Sequence, residues 1–221
     1  YVYQIVWIYF MSISDYFITI ASRASAKSWL IAVYACAIAV LYPNSEVVLV
    51  SATKKNAAII VGKIANLKDE YPNLDREISH FPSSASMDDL CRFHNGSTIK
   101  VVACRDSGRG ERATFTIGEE FRLMDKEKYD KIVKPFAYAR VTPYVKLPEW
   151  KDLPPEEPRE ILISSAYHKG LWWYTETCKI IKDLAKGKNV GFIAFDYLIA
   201  IEHKIKTMKL IEREKSTMEE I

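Results

Sequence analysis

The four cysteines of this 221-residue sequence, Cys36, Cys91, Cys104 and Cys178, stand far apart and form no C-x-x-C pair. That spacing argues against a zinc site and offers no disulfide framework, so reduced thiols in a cytosolic protein fit best. Cys36 lies within an apolar run, where a buried thiol is the ordinary role. Long apolar runs are lacking as well. Residues 5–11 are too few, and residues 29–42 fall short of the ~18 needed for a membrane span before Pro43-Asn44 ends them. No basic leader precedes an apolar segment, so no signal peptide is expected. The chain starts at Tyr1 in place of Met, as a piece of a longer protein would. An excess of one charge is missing too: 31 basic against 28 acidic residues leave +3. Composition therefore does not announce a nucleic-acid binder, and any DNA contact needs a local patch. His80, His94, His168 and His203 are scattered, without paired spacing for a metal or a proton relay. There is no internal repeat.

What is present is a globular balance, 49% hydrophobic and 27% charged, in a length that suits one α/β domain with a small appendage. Residues 16–20, 46–51, 114–117, 160–164 and 190–195 read as strands. Residues 90–93 and 98–103 flank His94-Asn95-Gly96-Ser97, a hairpin signal because Asn-Gly tolerates positive φ. Helices are expected over 27–41, from a Thr53 cap to about 67, over about 125–139, over 168–186 and from about 203 onward. Residues 142–158 are a proline-rich loop. Strands alternating with helices imply a mostly parallel sheet covered on both faces.

Two motifs carry chemistry. The first strand runs into Ala21-Ser22-Arg23-Ala24-Ser25-Ala26-Lys27-Ser28, which is G-x-x-x-x-G-K-[ST] with alanine at both glycine positions. Such a loop wraps phosphates with backbone N–H groups at the positive end of the next helix. Lys27 would reach the β- and γ-phosphates and Ser28 would ligand Mg²⁺. Taken alone, the same residues also read as a serine-rich helix cap with one exposed lysine; the strand before and the apolar helix after turn the reading toward phosphate. The second motif is Phe115-Thr116-Ile117-Gly118-Glu119-Glu120-Phe121-Arg122, a strand ending in paired carboxylates. One acid would hold the metal (Glu119) and the next would polarise the attacking water (Glu120). Alone, the pair equally reads as the acidic start of a helix.

In order, residues 22–28 followed by Glu119-Glu120-Phe121-Arg122 resemble a tailed-bacteriophage large terminase, whose ATPase loop carries an arginine and few glycines. Residues 48–56 (VLVSATKKN) resemble the strand and polar turn after the first αβ unit of such motors. Residues 161–166 (ILISSA) resemble their coupling motif. The resemblance implies a P-loop NTPase of the ASCE type with a small C-terminal lid: residues 1–170 as ATPase core and 171–221 as lid and linker. It implies ATP and Mg²⁺ as cofactors, with Ser22, Arg23, Ala24, Ser25, Ala26, Lys27 and Ser28 on the nucleotide and Gln4 as an adenine-reading residue; a helix-surface glutamine is the competing reading for Gln4. Glu120 is implied as catalytic, with Arg23 in cis, or Arg109 or Arg112 from a neighbouring subunit, as arginine finger; a basic surface turn is the competing reading for the loop that holds Arg105, Arg109 and Arg112. Ser164, Ser165 and Ala166 would couple nucleotide state to DNA grip. Implied partners are double-stranded DNA without sequence preference, the portal and procapsid, a small terminase subunit and further copies in a ring, with no membrane, in the host bacterial cytoplasm. Two departures stand out: Gly118, which could loosen the strand end, and Glu119 in place of aspartate. The acids beyond residue 190 read as a solvated face, so the family's nuclease is not expected in this chain. A helicase-like motor of the same superfamily and a non-hydrolysing nucleotide-binding module are the alternatives.

Overall fold

The computed structural model of the chain describes residues 1–82, 90–105, 108, 110–140 and 147–219. In chain order the elements are α1 (Val2–Ile13), β1 (Tyr16–Ala21), α2 (Lys27–Leu41), β2 (Glu46–Ser51), α3 (Lys54–Glu70), α4 (Pro72–Glu77), β3 (Ile78–His80), β4 (Leu90–Phe93), β5 (Thr98–Ala103), β6 (Phe115–Glu119), α5 (Lys126–Lys128), β7 (Arg159–Ser164), α6 (Trp172–Ala185), β8 (Val190–Phe195), α7 (Leu198–Glu202) and α8 (Met208–Glu219). The strands form one sheet in the order β3-β4-β5-β2-β6-β7-β1-β8. β5, β2, β6, β7, β1 and β8 run parallel; β4 is antiparallel to β5, and β3 to β4. This is the expected α/β architecture.

Successive residues of a strand face opposite sides of the sheet, and the core divides accordingly. Val47 and Leu49 of β2 pack with Trp7 of α1, Leu30 of α2 and Ile60 of α3 on one face. Val48 and Val50 meet Phe121, Tyr129, Ile132 and Trp173 on the other. With both faces covered, β2 is a near-continuous apolar run, as parallel strands commonly are. α3 starts where Thr53 Oγ1 accepts a hydrogen bond from the Asn56 N–H.

The helix expected over about 125–139 is broken. A short α5 leads into one π-turn at Tyr129–Val133 and a 3₁₀ turn at Lys134–Phe136. Pro135 has no N–H to give the carbonyl four residues back, and its ring crowds that carbonyl, so the ladder cannot continue as α. The helix expected from 168 starts instead at Trp172, and the tail divides into α7 and α8. Residues 171–221, expected as lid and linker, also place β8 beside β1 in the sheet. No helix among the described residues is long and apolar enough to cross a membrane.

Topology sets the site. β7 lies between β1 and β6, and the register pairs Ile20 with Ser164 and Ile163 with Glu119. The ends of these three strands therefore stand level at the carboxyl edge of the sheet, where α/β folds bind ligands.

The opposite edge holds a cavity of about 200 Å³ bordered by Tyr16, Thr116, Tyr129 and Glu160. Glu160 Oε1 and the Tyr129 hydroxyl are buried there without a hydrogen-bond partner among the described residues. Glu160 as a whole is half-buried, yet this oxygen is shut off from solvent. Burial pushes its carboxyl up to about 7, helped by the neighbouring charge of Glu176. The folded chain therefore keeps a proton that the unfolded chain loses near the ordinary 4.5. The stabilisation is complete below that value and declines as pH rises through about 7, by at most about 3 kcal/mol. Glu160→Gln is expected to flatten this decline and to be more stable than the parent at alkaline pH, as measured by urea unfolding from acid to alkaline buffer. An unchanged slope would mean that Glu160 is not the titrating group.

Candidate functional site

β1 delivers Ala21 to the carboxyl edge, and residues 22–26 turn back into α2. Ala24 (φ 68°) and Ala26 (φ 57°) both adopt left-handed backbone, the conformation glycine takes without cost. The turn is fastened from two sides. The Ser22 N–H donates to the Phe195 carbonyl (2.9 Å) and its hydroxyl to the Asp196 carbonyl (3.0 Å), tying the loop to the end of β8. The Tyr3 hydroxyl of α1 donates to the Ser25 carbonyl (3.3 Å), and the buried Ser25 hydroxyl donates to the Ser22 carbonyl (2.8 Å). Ala26→Gly is expected to raise stability by roughly 0.5–1 kcal/mol, because relief of the left-handed alanine exceeds the extra freedom of the unfolded chain. Ala21→Gly, at the other glycine position but inside β1, is expected to lower it. Thermal unfolding of the two variants checks the sign; a lower Tm for Ala26→Gly would contradict the strain argument.

Lys27, the first residue of α2, folds over this turn. Its Nζ donates to the carbonyls of Ala21 (3.2 Å) and Ser22 (3.0 Å) and lies 4.0 Å from Glu120 Oε1. Burial lowers its proton affinity, an effect that the charges of Glu120 and Glu119 partly offset. Next to it, the Ser28 hydroxyl donates to Glu119 Oε1. The period of two explains why: Glu119 shares the face of Phe115 and Ile117, the α2 side of β6. Glu119 is buried, and burial raises its proton affinity against the hydrogen bond from Ser28. β6 stays paired through Glu119, so Gly118 does not end it. A Cβ on Gly118 would come within 2.7 Å of Leu162 Cδ2, whose methyl group fills that space.

Glu120 leaves the strand in left-handed backbone (φ 46°, ψ 47°), and its carboxylate turns to the end of β7. Oε2 accepts from the Arg122 Nε–H (3.0 Å), the Ser164 hydroxyl (3.1 Å) and the Ser165 hydroxyl (3.1 Å), with the Ser165 N–H at 3.4 Å. Burial would push this carboxyl up; the Arg122 hydrogen bond, the Lys27 charge and the Ser165 N–H outweigh it and hold it below its ordinary value. The edge thus joins a helix N-terminus with a lysine, a serine–carboxylate oxygen pair and a second carboxylate kept charged.

Neither a protein-family model nor a curated protein matches this chain. Solved structures do. The large terminase of a thermophilic bacteriophage in complex with ATP-γ-S superimposes with a TM-score of 0.64 at 11% identity, over 96% of this chain and 48% of that one. The HK97 bacteriophage large terminase gives 0.61 at 16% identity, over 82% of this chain and 35% of that one. The large terminase ATPase domain of Thermus phage P74-26 gives 0.59 at 15% identity, over 88% and 83%. The fold is that of a large-terminase ATPase domain. The chain spans a third to a half of the longer terminases it matches and most of the isolated ATPase domain.

Within this terminase ATPase fold, Lys27, Ser28, Glu119, Glu120, Ser164 and Ser165 come together at one edge. Arg23, Ala24 and Ala166 are exposed beside them. Gln4 is buried in the first turn of α1, its Oε1 3.1 Å from the Tyr1 backbone nitrogen. The arginine loop divides. It runs from the carboxyl end of β5 to the amino end of β6, so exposed Arg105 lies on the edge of the site, while Arg112 lies on the opposite edge near Lys100 and Glu111. Arg109 falls outside the described residues. Sequence reasoning passed over Arg122, Tyr3 and the end of β8. Arg122 had a usable signal, a cation two residues past an acid at a strand end; the other two depend on tertiary contact.

Proposed function

We propose that this chain is the ATP-hydrolysing motor domain of a phage large terminase, which drives double-stranded viral DNA into the procapsid. The observation that carries the reading is Lys27 at the start of α2, level with Ser28–Glu119 and with Glu120 at the end of β6. Lys27 and the backbone N–H groups of 23–27 hold the phosphates, the Ser22 N–H being tied to β8, with Arg23, exposed on the loop, free to reach a γ-phosphate. Glu120 accepts a proton from water as the water oxygen bonds to the γ-phosphorus and the bond to the β–γ bridging oxygen breaks, giving ADP and phosphate. Ser28 and Glu119 are hard oxygen donors already in contact, a set that fits Mg²⁺. When bound, Mg²⁺ neutralises charge on the phosphate oxygens.

Ser164 and Ser165, which hold Glu120, relay nucleotide state together with Ala166, and residues 171–221 serve as lid and linker. Gln4 reads adenine from α1. The finger is Arg23 in cis, or Arg109 or Arg112 reaching the site of a neighbouring subunit in a ring. Partners are duplex DNA held by its phosphates, the portal and procapsid, and a small terminase subunit, in the cytoplasm of the host bacterium. Nuclease activity is not assigned to these residues. The test is Mg²⁺-dependent ATPase with and without nucleic acid. Stimulation by duplex DNA supports the packaging reading, stimulation only by single strands turns it to a helicase-like motor, and nucleotide binding without turnover in the assembled motor turns it to a non-hydrolysing module.

A further inference from the structure

Among the described residues, Arg122 is the one cation in hydrogen-bond contact with Glu120. Its position follows from the backbone: the left-handed turn at Glu120 and the 3₁₀ turn Phe121–Leu123 bring the side chains of Glu120 and Arg122 to one side. Phe121 anchors that turn, fully buried and edge-on to Trp172 with ring centroids 5.1 Å apart. The Arg122 guanidinium lies 4.8 Å above the Tyr167 ring, and its side chain is only 13% exposed. Tyr167 directly continues the segment whose Ser164 and Ser165 also donate to Glu120. Two routes thus lead from the end of β7 to one carboxylate, one through serine hydroxyls and one through Tyr167 and Arg122.

We propose that Arg122, held by Tyr167, is a positioning residue that fixes the direction of the Glu120 carboxylate and passes the conformation of residues 164–167 to it. The proposal rests on the ATPase reading above. A glutamate side chain is flexible and serine hydroxyls rotate, so the serines alone restrain it loosely. A planar guanidinium with one face on an aromatic ring restrains it well. When Tyr167 moves, the guanidinium moves, and the carboxylate turns relative to the water it activates. Displacement of a reacting group by about 1 Å can cost on the order of a hundredfold in rate.

The test uses Arg122→Ala, Arg122→Lys, Tyr167→Ala and Tyr167→Phe in the whole chain, reading nucleotide affinity and kcat against pH. Arg122→Ala is expected to lower kcat by at least about tenfold with nucleotide affinity nearly unchanged. The acid limb of its pH profile should move to higher pH, because a carboxylate that loses its cation binds a proton more readily. Arg122→Lys should restore the acid limb but only part of kcat, since an ammonium lacks the planar fork. Tyr167→Phe should behave as the parent and Tyr167→Ala as a weaker Arg122→Ala. Parent-like kcat and acid limb in Arg122→Ala, or identical behaviour of the two Tyr167 variants, would overturn the proposal. If Arg122→Ala does not fold, Arg122→Lys and the Tyr167 pair decide it. A Glu120→Gln variant that still turns over would instead overturn the site reading itself, so the two failures are distinct.

Discussion

Lys27→Ala is expected to weaken ATP binding by about ten- to a hundredfold, the loss of one charge-assisted contact to phosphate. The nucleotide-free protein should not suffer. Lys27 is half-buried against the carbonyls of Ala21 and Ser22, and burial lowers its proton affinity. The charged form is thus held less comfortably in the fold than in water, and removing it relieves that cost. The expected signature is a Tm without nucleotide that is equal to or above the parent's, together with loss of most of the rise that ATP produces in the parent. Calorimetric binding and thermal unfolding on the same samples check it. Undiminished ATP binding in Lys27→Ala would remove the phosphate loop from the account.

Glu120→Gln is expected to do the reverse. Its amide oxygen can still accept from Arg122 and the serines, so the loop keeps its shape and nucleotide affinity stays close to the parent's. Turnover should fall by about 10²–10⁴-fold, the usual contribution of a general base. A small loss of stability should accompany it at neutral pH. The folded environment holds this carboxyl below its ordinary value, so the charged group adds stability above the unfolded pKa, which is lost as pH falls through the folded value. Against the parent, Glu120→Gln should therefore be less stable at neutral pH and equal to it in strong acid. Single-turnover hydrolysis alongside equilibrium binding separates the effects, and a turnover rate within twofold of the parent's would sink the assignment.

Much of this site could be read along the chain because its signals are local. A lysine and serine after a small-residue turn, between a β-branched strand and an apolar helix, announce α2, which begins and ends at the expected Lys27 and Leu41. Two carboxylates closing a strand announce the other half. Read along the chain, the pair divides in order, Glu119 to metal and Glu120 to water, but how the backbone parts their side chains was not legible. Strand alternation keeps Glu119 beside Ser28, and a left-handed backbone at Glu120 sends the next carboxylate to β7. No residue type near Glu120 signals that conformation.

The arginine loop shows the limit most clearly. Read in sequence, Arg105 and Arg112 share one loop beside an acidic strand, but parallel strands oblige the chain to cross the sheet between them, which parts the two arginines. The sequence by itself determined element types, their alternation and the residue kinds gathered at the strand ends, because hydrophobic period and turn chemistry act over a few residues. Strand order was a tertiary decision. Placing β7 between β1 and β6 brings Ser164 and Ser165 to Glu120 and Tyr167 to Arg122. These contacts span more than forty residues of chain, as Glu120 and Ser164 show, and they follow from which apolar faces could be buried together.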